Sequence, residues 1–196
     1  MFTTICVYCG SRNGKRPEYR AAARALGREL VMRDISLVYG GGRLGMMGQL
    51  ADSVLEAGGR VFGVIPADLK IEGVYHPGLT DLTVVDSMHL RKAEMARRAD
   101  GFIALPGGLG TFEEILEATT WAQLSFHDKP CGILNAAGYF DGLLRLIDHG
   151  VQEGFLKSIH RDILQIDNDP AALLERMLRY EPPHDLAIRR SEEQQK

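Results

Sequence analysis

The stretch GFIALPGGLGTFEE, residues 101–114, contains a strand, a turn and the start of a helix. GFIAL (101–105) is a short apolar run of strand length, and Pro106 stops it. Glycines follow, and TFEEILEATTWAQLS (111–125) then places Ile115, Leu116, Thr119 and Leu124 or Ala122 on one inward helical face. The same alternation extends in both directions. Upstream, TTICVY (3–8), ISLVY (35–39), RVFGVI (60–65) and LTVVD (82–86) read as strands. Between them lie helices from Pro17, over 45–57 and over 87–99, the second stopped by Gly58 and Gly59. Downstream come a strand CGILN (131–135), a helix over 138–150, a strand ILQI (163–166) and a helix opened by Asp169-Pro170 that runs through Tyr180. Strands alternating with helices imply βαβ units. The expected fold is therefore α/β: a Rossmann-like, doubly wound, mostly parallel sheet of about seven strands with helices on both faces. Residues 67–80 have no clean period and read as a long loop, a kind that is often functional. Residues 1–180 are expected to form a single nucleotide-binding domain, followed by a polar tail over 181–196.

Composition narrows the class. The chain has 196 residues, 45% hydrophobic and 25% charged, which supports a buried core and argues against disorder. Its formal charge of -3 gives no electrostatic reason to bind nucleic acid or an anionic membrane. The apolar runs fall far short of the ~20 residues a membrane span needs. The expectation is a soluble, cytoplasmic protein. Cys6 and Cys9 form a CxxC, but TICVYC reads as a buried strand rather than the helix start where thiolates are activated. No second CxxC or closely spaced His pair completes a zinc site, so no metal is expected.

In such sheets ligands bind beyond the carboxyl ends of the strands, and three loops there are rich in glycine. They are Gly10 to Gly14, GGGRLGMMG (40–48) and PGGLGTFEE (106–114). In the last, bare backbone and the N–H groups of a helix start make an anion site over Gly107, Gly108, Leu109, Gly110 and Thr111. Thr111-Phe112-Glu113-Glu114 also matches a capping box, so spacing alone leaves Glu114 open between a cap and a catalyst. Gly40-x-Gly42-x-x-Gly45 matches the dinucleotide fingerprint formally. The strand that follows ends in Ile65-Pro66, without the acidic residue that holds a ribose. The plainer reading is that Gly41 and Gly42, with Ser11, close the other side of a smaller phosphate-bearing ligand. In DSMHLRKAEM (86–95), Asp86 or Ser87 caps a helix that carries Arg91 and Lys92 about one turn in. Two cations there oppose the helix dipole, a penalty of a few tenths of a kcal/mol that an ordinary solvated face also tolerates.

PGGLGTFEE, the upstream MHLRK, GGGRLGMMG and the initial YCGSRNG together resemble the LOG family of cytokinin riboside 5'-monophosphate phosphoribohydrolases, often mislabelled lysine decarboxylases. The resemblance spans about Thr3 to Tyr180. It implies a Rossmann-like homodimer that needs no cofactor and hydrolyses the N-glycosidic bond of an N6-substituted AMP. Residue by residue, it places phosphate on Pro106 to Thr111 and pairs Arg91 with Glu114 for catalysis. It adds Met88, Lys92, Phe112, Glu113 and the helix threonine Thr119 to the substrate-binding set. Plant members carry a Pro-x-Glu-Ile stretch near the third strand. Here the text is Pro66-Ala67-Asp68-Leu69-Lys70, without that glutamate, which bears on how the base is recognised. The alternatives from the residues are a broader purine or pyrimidine 5'-nucleotide nucleosidase acting on the same bond, and a non-catalytic nucleotide binder. Lysine decarboxylation would need a cofactor-bearing lysine, and neither Lys92 nor Lys129 has such a context.

Overall fold

All seven expected strands form, and every pairing between them is parallel. The computed structural model describes residues 2–183. The chain runs β1 (Thr4–Tyr8), α1 (Pro17–Met32), β2 (Ser36–Tyr39), α2 (Gly45–Glu56), β3 (Val61–Pro66), β4 (Asp81–Val85), α3 (Met88–Arg98) and β5 (Gly101–Ala104). It continues through α4 (Leu109–Gln123), β6 (Cys131–Leu134), α5 (Asp141–Gln152), α6 (Ser158–Arg161), β7 (Leu164–Asp167) and α7 (Pro170–Leu178). The sheet order is β4-β3-β2-β1-β5-β6-β7. The chain winds outward from β1 to β4, then returns to β5 on the other side of β1. The loops after β1 and β5 therefore diverge to opposite faces and leave a crevice at the carboxyl edge.

Two apolar layers hold the sheet. Leu26 and Leu30 of α1, Leu50 and Val54 of α2, and Leu173 and Met177 of α7 cover one face. Met95 of α3, Ile115 and Ala118 of α4, and the half-buried Leu143, Leu144 and Ile147 of α5 cover the other. Strands β2, β5 and β6 are buried at every residue, as expected of strands with helices on both sides. Cys6 lies in this interior, and burial pushes the thiols of both Cys6 and Cys9 up, away from the reactive thiolate.

The elements differ from expectation in detail. Helix α4 begins at Leu109 rather than Thr111, with Gly108 as an extended N-cap that makes no side-chain bond. Thr111 lies inside the first turn, 3% exposed, so the capping box does not form. Leu116 and Leu124, expected inward, are 37% and 50% exposed, and Glu114 takes the buried position. Helix α5 starts at Asp141 after a separate 3-10 turn over Ala136–Gly138, in which Ala137 is left-handed at φ 51°. The four-residue α6 is too short for periodicity to reveal. Helix α7 ends at Leu178, and residues 184–196 of the expected tail lie outside the described residues. Among the described residues no helix is long and apolar enough to cross a membrane.

Candidate active site

Three glycine loops meet backbone to backbone at the crevice. Gly10 N–H donates to the Pro106 carbonyl at 3.1 Å, and Met47 N–H donates to the Gly10 carbonyl at 3.3 Å. A Cβ on Gly45 would lie 2.3 Å from the Arg12 nitrogen, and one on Gly10 3.1 Å from Gly107 Cα. Side chains there would force the loops apart. Helix α4 starts in the middle of this stack. Phe112 N–H bonds back to the Gly108 carbonyl, while the N–H groups of the residues before it have no carbonyl one turn upstream. They point out of the helix at its positive end, an arrangement that favours an anion. Gly107 is held by packing, since its Cβ would fall 2.1 Å from Thr111 Oγ1. A Cβ at Gly108 or Gly110 would meet nothing within 4 Å. The folded chain does not itself require glycine at those two positions, and the space in front of them is open to a ligand. A cavity of about 380 Å³ adjoins the cradle, lined by Ser11, Asn13, Tyr19, Met46, Gly107 and Tyr139 among others.

Beside this cradle Arg91 faces Glu114. Ser87 caps α3 by accepting from Leu90 N–H at 3.2 Å, which sets Arg91 one turn in, over the ends of β2 and β3. Arg91 Nε donates to the Val64 carbonyl at 3.2 Å, and its Nη1 lies 3.7 Å from Glu114 Oε1. The Nη2 end of the guanidinium abuts Gly40, where a Cβ would come within 1.9 Å of it. The Arg91 and Glu114 side chains are only 13% and 10% exposed. A gap of 3.7 Å is too long for a hydrogen bond, so the attraction is Coulombic and the carboxyl keeps lone pairs free. Burial pushes the Glu114 carboxyl up to about 7; Arg91 works against that shift and Glu113 adds to it. A carboxyl poised there can gain or lose a proton near neutrality.

The remaining expected residues divide. Lys92 is tied to Glu113 at 2.5 Å and Glu117 at 2.9 Å. Burial disfavours its charge, but the two carboxylates more than offset this and raise its pKa. Leu109 projects into solvent at 85% exposure, and Met88 is 44% exposed with its sulfur 3.8 Å from Arg91 Nη1. Phe112 packs against Tyr139 and Phe140 rather than into the cradle. Thr119 is not brought to the cradle within this chain: it sits two turns further along α4 and donates its hydroxyl to the Ile115 carbonyl at 2.8 Å. Gly41 and Gly42 are engaged by the long loop. His76 N–H donates to the Gly41 carbonyl at 2.9 Å, and Gly42 forms an antiparallel bridge with Tyr75.

Several contributors carry no sequence signal. His76 Nδ1 accepts from Gly78 N–H at 3.1 Å, which leaves the proton on Nε2, 2.9 Å from Asp52 Oδ1 of α2. That pair straps residues 74–76 onto Gly41, Gly42 and Arg43, next to the Gly40 that Arg91 abuts. Tyr139 donates its hydroxyl to the Gly107 carbonyl. Neither belongs to a motif, because each acts through a contact distant in sequence.

The fold and the site together define a doubly wound α/β protein with an uncapped, glycine-lined helix start beside a buried arginine–carboxylate pair. A family model described as "Possible lysine decarboxylase" matches residues 47–177. The cytokinin riboside 5'-monophosphate phosphoribohydrolase LOG7 of Arabidopsis thaliana is 49% identical over 94% of this chain and 85% of its own length. A rice relative, the probable phosphoribohydrolase LOGL9 of Oryza sativa subsp. japonica, is also 49% identical, over 92% of this chain and 80% of its own length. Among solved structures, the molybdenum cofactor carrier protein of Chlamydomonas reinhardtii superposes with a TM-score of 0.69 at 21% identity, covering 92% of this chain and all of that one, which is a likeness of fold. The chain belongs to the LOG family.

Proposed function

We infer that this protein hydrolyses the N-glycosidic bond of an adenosine 5'-monophosphate, N6-substituted in the cytokinin-activating case, to free base and ribose 5-phosphate. The observation that carries the reading is the buried Glu114 carboxyl, 3.7 Å from Arg91 and one helical turn from the glycine-lined start of α4. Phosphate held at the start of α4 anchors the sugar, so remote binding energy positions the anomeric carbon. Breaking the C1'–N bond develops oxocarbenium-like charge on the ribose, and an ionised Glu114 stabilises it. The same carboxylate accepts a proton from the attacking water; the water oxygen bonds to C1' and the departing base takes up a proton. Arg91 keeps part of the Glu114 population ionised at neutral pH and offers a fork of donors to substrate oxygens. Lys92, whose ammonium is held by two carboxylates, is a poor candidate for the neutral amine that Schiff-base chemistry needs.

Residues 1–180 serve as one nucleotide-binding domain in this reading, and the protein acts in the cytoplasm without nucleic acid or membrane. It pairs as a homodimer through the α3 face. There, grooves on either side of Ala93 and Arg97 are bordered by Val84, Leu90 and Phe126, which are 41%, 51% and 72% exposed. Apolar surface of that kind with a charged rim marks protein–protein contact. The deciding experiment supplies a panel of nucleoside 5'-monophosphates, with and without N6-isopentenyl groups, and scores free base and ribose 5-phosphate. Release from AMP-type substrates supports the reading. Absence of release from every member at high enzyme concentration defeats it and leaves a nucleotide-binding protein.

A further inference from the structure

The cradle depends on a Gly-Gly peptide, the least restrained link a chain can contain. Gly107 and Gly108 lead into α4, and rotation of the peptide between them would exchange the direction of its N–H and its carbonyl. A carbonyl turned toward a phosphate would repel it. One donor opposes such a rotation directly: the Tyr139 hydroxyl holds the Gly107 carbonyl. Gly10 N–H fixes only the peptide before it, through the Pro106 carbonyl at 3.1 Å. Because a trans peptide points its C=O and N–H in opposite directions, fixing the Gly107 carbonyl also fixes Gly108 N–H.

Tyr139 is itself rigidly mounted. Its ring meets Tyr19 edge-on at 5.5 Å, Phe140 edge-on at 5.1 Å and Phe112 in a stacked arrangement at 6.3 Å. The turn that carries it is fastened by Phe140 N–H to Asn135 Oδ1 at 2.8 Å and by Arg16 Nη1 to the Ala137 carbonyl at 3.1 Å. A hydroxyl on so fixed a ring is a stationary donor.

We propose that Tyr139 is the positioning residue of the phosphate cradle, its hydroxyl locking the Gly107–Gly108 peptide with the carbonyl held off the anion. It touches no reacting atom. Its effect falls on ligands that carry a 5'-phosphate and spares those that do not. The proposal rests on the placement of phosphate at the start of α4 in the proposed function.

The test is Tyr139→Phe, which removes the hydroxyl and keeps all three ring contacts. Calorimetric titration with ribose 5-phosphate is expected to show affinity weakened about tenfold. The KM for AMP should rise by a similar factor while kcat stays within about threefold. Competitive binding of adenosine, which lacks the phosphate, should match the parent protein. Unchanged ribose 5-phosphate affinity overturns the proposal, as does equal weakening of adenosine and ribose 5-phosphate, the result a merely structural role would give. The binding measurements need no turnover. A parent protein that binds ribose 5-phosphate but releases no base refutes the hydrolase reading and leaves this test intact.

Discussion

Glu114→Gln separates the stability and the function of the site. The carboxyl is 9% exposed and sits at about 7 in the folded chain, against 4.5 ordinarily. Between those values the folded state binds a proton that the unfolded state has released. Stability contributed by this group is therefore full below about pH 4.5, falls as pH rises to about 7, and is level beyond. A pKa raised from 4.5 to about 7 corresponds to about 3 kcal/mol against the charged form at pH 8. Glutamine has the same shape and no charge to bury. The variant is expected to be more stable than the parent by about 2–3 kcal/mol at pH 8 and by under about 1 kcal/mol at pH 5. In a chain of 196 residues, 1 kcal/mol moves Tm by roughly 2–4 °C, so thermal melts should differ by about 5–10 °C at pH 8. Base release by the same preparation should fall by at least a hundredfold. Equal melts of parent and variant at pH 8, or a gain that does not shrink toward pH 5, would show that Glu114 is not held against its ionisation. The general-base argument would then lose its physical ground.

Three further outcomes follow from the geometry. If ionised Glu114 is the base, kcat/KM for AMP loses activity below an apparent pKa near 7, and removing Arg91 by Arg91→Ala raises that limb because the attraction lowering it is gone; a limb that stays in place with Arg91 absent contradicts the pairing. Gly40→Ala drives a methyl into the guanidinium and should depress kcat/KM at least tenfold, whereas Gly108→Ala faces open space, so its melting temperature should stay within about 2 °C while ribose 5-phosphate binds more weakly. A Gly108→Ala protein that binds the sugar phosphate normally places the anion elsewhere. Phe126→Glu, a charge on the most exposed aromatic beside α3, should convert a dimer to monomer by sedimentation, and an unchanged mass removes that face as the contact.

The sequence announced the scaffold through period and punctuation. Apolar runs became buried strands, and Pro17, Ser87 and Asp169 became helix starts as their chemistry dictates. The glycine loops and the Arg91–Glu114 partnership were equally accessible, the first from composition and the second through family resemblance. Spacing misled where glycine was involved. Thr111-x-x-Glu114 looks like a cap, yet Gly108 takes the cap position and draws Thr111 into the helix, against Gly107. Tyr139, His76 and Asp52 were illegible because their partners lie 32, 35 and 24 residues away, at Gly107, Gly41 and His76.

These local departures share a location. A glutamate buried at the cost of its charge, an arginine seated on bare glycine backbone and a helix without a side-chain cap are each unfavourable alone. All three lie at the carboxyl edge, next to the crevice between β1 and β5, while the two apolar layers follow ordinary packing rules. A bound phosphate would satisfy the uncapped helix N–H groups, and a developing cationic sugar would stabilise the ionised Glu114. The edge is thus unfavourable in the free protein in the respects a nucleoside 5'-monophosphate at its transition state would relieve. The stability that Glu114→Gln recovers is the measure of what the free site gives up to be ready for that charge.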